Sequence, residues 1–298
     1  MTSTTPFTPE RARTVLNVAC NHSDVDSTEA VSLRFGENAL YSLADNSLVG
    51  RVGRSIEAAI KEVKVAAWLE EHRFPSAKLA TGIVDQPVVE DGLPVTFWEF
   101  IPEQGETVTA AEFGKILHDL HALPAPSFSL PEFSPMSKFE ARIKHLDGQL
   151  PESDLTFLRG RYEEILEEFE ALEFELPPGP IHGDAHPGNV MRSTDGNLYL
   201  IDFEDFAYGP REWDAAVLSV RHQAFGWATD AEYRSYADAY GFDPIDWPGF
   251  PVVRAARELN MTTWLAQKVD ESPEVEAEVY KRISDLRDDQ APRNWRVF

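Results

Sequence analysis

The order of apolar and polar positions divides the chain into a strand-rich first third and a helix-rich remainder. Thr8 to Asn21 alternates its apolar residues at helical spacing, with Thr8 placed as N-cap and Pro9 at the first helical position. Ala30–Phe35, Ala39–Ala44 and Ser47–Arg51 read as short strands, with Asp45-Asn46 as the turn between the last two. Ser55 then opens a strongly periodic segment. Ile56, Ile60, Val63, Ala67 and Trp68 fall on one face, and Pro75 lies beyond its end, so a helix is expected. Val88–Phe100 reads as two strands around Asp91-Gly92.

After a connector at Pro102–Glu106 the pattern turns helical: Ala110–Leu120, Lys138–Leu146 and Asp154–Leu172. Pro124 to Pro135 is expected to be a long loop. Pro177, Pro178 and Pro180 break the helical run, because proline removes a backbone donor. Two short strands follow, Val190–Ser193 and Leu198–Ile201, turning at Asp195-Gly196, and helices resume near Arg211 and continue to Asp289. The organisation expected is a β-rich lobe over residues 1–103 and a helical lobe over residues 104–298 with one embedded hairpin.

Composition narrows the classes. The 43% hydrophobic and 26% charged residues are those of a folded globular chain, not of low-complexity disorder. No apolar run approaches the length of a membrane span. Met1–Glu10 lacks the basic start and apolar stretch of a secretory signal, so a cytoplasmic protein is expected. The single cysteine, Cys20, excludes an internal disulfide and a cysteine-rich zinc site. The formal net charge is −24, which would repel nucleic acid and anionic membrane. It is unevenly spread: residues 1–105 hold 9 basic and 15 acidic residues, and residues 106–298 hold 18 and 36. That excess serves solubility, and it also fits a basin for a cationic ligand.

The chemistry concentrates between Ile181 and Asp214, IHGDAHPGNVMRSTDGNLYLIDFEDFAYGPREWD. A hairpin over 190–201 brings Asn189 and Asp202 to the same end, and Asp184 stands five residues before Asn189. Carboxylate and amide oxygens that converge in this way suit a hard cation such as Mg²⁺.

His182-Gly183-Asp184 followed by Asn189 has the spacing of the protein-kinase catalytic loop, H-R-D-x-x-x-x-N. HGDAHPGN together with IDFED resembles the aminoglycoside phosphotransferase and choline kinase branch of that superfamily, and the lobe order extends the resemblance over nearly the whole chain. It implies an α+β, two-lobed protein-kinase-like fold that uses ATP and Mg²⁺ to phosphorylate a hydroxyl on a small molecule. By that resemblance Asp184 would accept or orient the hydroxyl proton, and Asn189 and Asp202 would hold Mg²⁺ on the phosphates. His182 would support the loop by hydrogen bonding, Asp205 would brace it, and His186 reads as structural. Asp214 reads as a helix N-terminal charge.

Arg51 stands where the kinase strand lysine would sit, and Glu62 is its expected partner, ahead of Glu57. Phe35-Gly36-Glu37-Asn38-Ala39 takes the place of the phosphate-covering loop with one glycine instead of G-x-G-x-x-G. Trp98-Glu99-Phe100-Ile101 resembles the hinge whose backbone meets adenine, with Val49 set against the base. Glu258 and Asp270 read as surface charges, and Trp295–Phe298 as a tail able to fold back.

The preferred acceptor is amine-bearing: an aminoglycoside or other cationic antibiotic, an amino sugar or an amino alcohol. The role, antibiotic resistance or metabolism, and the oligomeric state stay open. A neutral sugar or macrolide is the alternative acceptor. Two other classes remain. One is a kinase-like binding protein without catalysis. The other is a metal-dependent hydrolase using His182, Asp184, His186, Asp202 and Asp205.

Overall fold

The computed structural model describes residues 6–43, 46–83, 85–103, 105–288 and 290–298. Residues 1–5, the strand end at Ala44, the turn residue Asp45, the boundary position Gln104 and the helix end at Asp289 lie outside them. The chain forms two compact units. One comprises Met1–Val108, Leu123–Leu130 and Pro187–Phe206; the other comprises Thr109–Ala122, Pro131–His186 and Ala207–Phe298.

The first unit is built on a five-stranded antiparallel sheet. Its strands are β1 (Val31–Phe35), β2 (Ala39–Leu43), β3 (Leu48–Val52), β4 (Val88–Glu90) and β5 (Leu93–Glu99), in the spatial order β1-β2-β3-β5-β4. Helix α1 (Pro9–His22) is capped by Thr8 and buries Val15, Leu16 and Ala19 against this sheet. Its approach to β3 needs Gly50, where a Cβ would sit 2.6 Å from Leu16 Cδ1.

Helix α2 (Ile56–Glu71) starts at the Ser55 N-cap. Its buried face only partly follows the one that periodicity marks: Trp68 is buried as expected. Ile56 and Ile60 are 38% and 40% exposed, whereas Glu62 is 4% exposed and lies inward with Ala59, Val65, Ala66 and Leu69. On this face Glu62 pairs with Arg51 of β3.

Strands β7 (Val190–Arg192) and β8 (Leu198–Leu200) form the expected hairpin, with Val190 opposite Leu200. The expected boundary at 103/104 does not separate the hairpin from the sheet unit. Leu200 exchanges backbone hydrogen bonds with Pro75 and Ala77, Thr194 N–H donates to Pro102 O, and Glu103 pairs with Ser193.

The second unit is helical: α3 (Ala110–His121), α4 (Phe139–His145), α5 (Glu152–Glu170), α6 (Glu212–Gln223), α7 (Asp230–Tyr240), α8 (Phe250–Ala266) and α9 (Pro273–Leu286). Capping boxes, Thr109 with Glu112 and Thr229 with Glu232, start α3 and α7, satisfying amides that a helix leaves open. A short antiparallel pair, β6 (Gly179–Ile181) with β9 (Ala207–Gly209), stands at either side of the chemistry-bearing stretch in sequence. Its core runs from Phe139 and Leu155 through Trp213 to Val253, Leu259 and Val279. The tail does fold back at Trp295, which stacks on Phe225 with ring centroids 5.0 Å apart and donates from Nε1 to Asp285.

Candidate active site

In the first unit the site gathers around Arg51. Strand β3 places its guanidinium between carboxylates: Nη1 donates to Glu62 Oε2, Nη2 donates to Glu204 Oε2 at 3.1 Å, and Asp202 Oδ1 lies 3.8 Å from Nη2. Arg51 thus pairs with Glu62 and not with Glu57, which is exposed in the first turn of α2. Burial pushes the Glu62 carboxyl up to about 7, against the pull of Arg51 and with the push of Glu204 and Asp202. Glu204 Oε2 also accepts from Asn38 Nδ2 at 3.1 Å. Lys61, the residue before Glu62, reaches two main-chain carbonyls beyond Asp202. Its Nζ donates to Glu204 O, and to Phe206 O at 3.0 Å.

Asn189 ends a 3₁₀ turn at Pro187–Asn189 and enters β7; Asp202 follows β8. Ile201 N–H donates to Asn189 O at 2.9 Å, so the two residues leave the hairpin at the same end. Asn189 is buried. Asp202 is exposed and adopts φ 65°, the left-handed conformation that aspartate tolerates better than most residues. Asp205 is half-buried in the same segment. One amide oxygen and one carboxylate form a sparse set of hard donors. Such a set fits Mg²⁺, which keeps waters and takes other ligands from substrate phosphate. Among the described residues no group of three or more His, Cys, Asp or Glu side chains is arranged to hold a metal ion.

At the end of β5, Trp98 pairs with Val49 on β3 and, across its other edge, with Leu79. Glu99 N–H donates to Lys78 O and Phe100 N–H to Ser47 O, which commits the first two hinge amides. Ile101 follows them, half-buried.

In the second unit the site is the loop His182-Gly183-Asp184, and its anchor is Asp214. Asp214 does stand in the first turn of α6, as its position suggests, but it does more than charge the helix end. It is fully buried, and it accepts from His182 N–H at 2.7 Å and Gly183 N–H at 3.1 Å. The neighbouring Trp213 donates from Nε1 to Gly183 O at 2.7 Å, so both backbone groups of Gly183 are held by successive residues of α6.

Behind Asp214, His121 Nε2 lies 3.2 Å from Oδ2, and His121 Nδ1 lies 2.8 Å from Tyr240 OH. Burial alone would raise the Asp214 carboxyl. The hydrogen bond and charge of His121, with the charge and amide of His182, outweigh burial and hold it below its ordinary value. No spacing rule marks Asp214, because its partners lie 31 and 32 positions earlier.

Asp184 itself is exposed, and His186 Nε2 stands 3.8 Å from its Oδ2. Burial lowers the His186 pKa, opposed by Asp184 and assisted by His182, Arg221 and Arg257. His182 is fully buried. Glu258 is buried rather than a surface charge, in ion pairs with Arg254 at 2.7 Å and Arg293 at 3.1 Å; Asp270 is exposed.

The family model and the likeness in fold make the chain a phosphotransferase of protein-kinase-like fold. The chain belongs to the phosphotransferase enzyme family, whose model matches residues 48–256. The resemblance read from HGDAHPGN and IDFED is thereby borne out, and so is the α+β kinase-like fold.

In structure the chain is similar to an amicoumacin kinase in complex with AMP-PNP and Ca²⁺, with a TM-score of 0.72 at 16% identity over 96% of this chain and 97% of that one. It is similar to a microcompartment-associated aminopropanol kinase, at 0.68 and 19% over 92% and 94%. It is also similar to a choline/ethanolamine kinase family protein from Mesorhizobium loti, at 0.61 and 16% over 96% of both chains. At these identities the likeness is one of fold. Among curated proteins none matches the chain.

Proposed function

We propose that the chain is a cytoplasmic small-molecule kinase, transferring the γ-phosphate of ATP to a hydroxyl of an amine-bearing acceptor. The observation that carries this reading is Arg51, held between Glu62 and Glu204 with Asp202 nearby. A phosphate-gripping cation beside a metal-binding carboxylate is what phosphoryl transfer requires, since that chemistry is positioning and charge neutralisation.

In this reading Arg51 grips the phosphates, and Glu99, Phe100 and Ile101 meet adenine with Val49 against the ring. With the Glu99 and Phe100 amides already committed, Ile101 N–H is the donor offered to the base. Asn189 and Asp202 would hold Mg²⁺, which supplies neutralisation of the phosphate charge. Asp184 takes or orients the hydroxyl proton, while His182 and Asp205 support its loop. Nucleotide handling falls to the sheet of residues 1–103, and acceptor binding to the helices beyond. No described helix is long and apolar enough to cross a membrane.

An amine-bearing acceptor agrees with the acidic excess of residues 106–298 and with the aminopropanol and choline/ethanolamine kinases of like fold.

The test is acceptor-dependent ADP release with Mg-ATP over a panel of aminoglycosides, amino sugars, amino alcohols, hydroxy acids, neutral sugars and macrolides. Asp184→Asn serves as the blank and is expected to lose at least ~10²-fold in kcat while binding ATP as before. Turnover of a cationic acceptor that vanishes in the blank establishes the reading. Turnover unchanged in Asp184→Asn removes Asp184 from its role, and unchanged Mg-ATP affinity in Asp202→Ala removes the metal assignment.

A further inference from the structure

The turn between β1 and β2 has one glycine where kinases use several, so its backbone is poorly suited to wrap phosphates closely. It is tied down by side chains instead. Phe7 stacks on Phe35 with centroids 5.4 Å apart. Arg54 lies over the Phe7 ring at 4.5 Å and donates from Nη2 to Gly36 O at 2.8 Å. At the far end of the turn, Gly36 N–H donates to Asn38 O at 3.0 Å, and Asn38 Nδ2 donates to Glu204 Oε2 at 3.1 Å.

That oxygen is the one that receives Arg51 Nη2, also at 3.1 Å. A carboxylate oxygen has two lone pairs and can accept both donors. Glu204 is itself fixed through its backbone, since Lys61 Nζ donates to its carbonyl. Its side chain is only 29% exposed, so these charge-assisted bonds are sheltered from competing water.

We infer that Glu204 is a positioning residue that latches the Phe35–Asn38 turn to Arg51 and to the segment carrying Asp202, and that nucleotide affinity depends on the Asn38–Glu204 bond. Resting on the nucleotide reading above, this gives the middle residue of IDFED a role distinct from those of its two aspartates. Glu204 sets the rotamer of the arginine that meets the phosphate and the position of the turn that covers it.

The experiment is isothermal titration of ADP and AMP-PNP, with Mg²⁺, into the full chain and its Asn38→Ala, Asn38→Asp, Glu204→Gln and Asn38→Asp/Glu204→Gln variants, with kcat measured in parallel. Asn38→Ala should raise the nucleotide Kd about tenfold, the scale of one hydrogen bond to a charged group. Asn38→Asp sets two carboxylates against each other and should bind more weakly still. Adding Glu204→Gln to Asn38→Asp removes one of the two opposed carboxylates, though it also removes the charged acceptor of Arg51 Nη2. It should recover part of the loss, which a turn residue of merely structural role would not do.

Equal Kd values for Asn38→Ala, Asn38→Asp and the unaltered chain overturn the latch while leaving the kinase reading standing. So does a double variant no better than Asn38→Asp. An unaltered chain that binds neither nucleotide overturns both.

Discussion

Asp214 accepts from two successive main-chain amides at the loop that carries Asp184, and an amide side chain cannot copy that. In Asp214→Asn one of the two positions becomes an NH₂ group facing an N–H, and His121 loses its anionic partner. The substitution leaves buried polar groups facing like groups, so it should cost stability on the order of 3–5 kcal/mol. The loop it holds also loses its fixed geometry, and kcat should fall about 10²-fold with the nucleotide KM little changed. Urea denaturation and steady-state kinetics on the purified variant check the two effects. A variant that lost stability but kept kcat would leave Asp214 as a folding residue without influence on Asp184.

Helix α2 does for the first unit what α6 does for the second. It presents Glu62 to Arg51, Lys61 to the carbonyls of Glu204 and Phe206, and Trp68 to the Phe206 ring, with centroids 6.4 Å apart. Because the Glu62 carboxyl is raised to about 7 in the folded chain, the folded state holds its proton more tightly than the unfolded chain does. The stability it contributes is fully present below about pH 4.5 and is lost as pH rises to about 7, a few kcal/mol in all. Glu62→Gln should therefore flatten the pH dependence of the nucleotide-free chain's stability across that window. Denaturation midpoints at pH 4.5, 6 and 8 read it directly. An identical slope in the variant would mean that Glu62 ionises as freely folded as unfolded.

The same helix marks what the sequence does and does not disclose. Its length and Ser55 cap were legible from apolar spacing, but its inward face only in part: Trp68 is buried, whereas Ile56 and Ile60 are exposed and Glu62 lies inward with Ala59, Val65, Ala66 and Leu69. Strands β6 and β9, three residues each, gave no periodic signal and are set by pairing between distant segments. Asp184, Asn189 and Asp202 could be singled out because their spacing along the chain is itself the motif. Asp214, Glu204 and Lys61 act through bonds to residues 31 to 166 positions away, and no local pattern encodes such bonds.

At the scale of the whole molecule the governing fact is a net charge of −24, with twice as many acidic as basic residues over 106–298. A field of that sign draws a cationic acceptor toward the enzyme and resists the anionic nucleotide, and both effects are screened by salt. The two substrates should thus respond oppositely in one titration. Between about 20 and 300 mM salt the screening length falls from roughly 20 to 6 Å, so kcat/KM for a cationic acceptor should drop severalfold. Over the same range kcat/KM for Mg-ATP should hold or rise. A neutral acceptor of similar size should show no slope of its own, which isolates the electrostatic part from general salt effects on the enzyme. If the best acceptor instead gained from added salt, it would be anionic. The charge of the chain at large would then not set specificity.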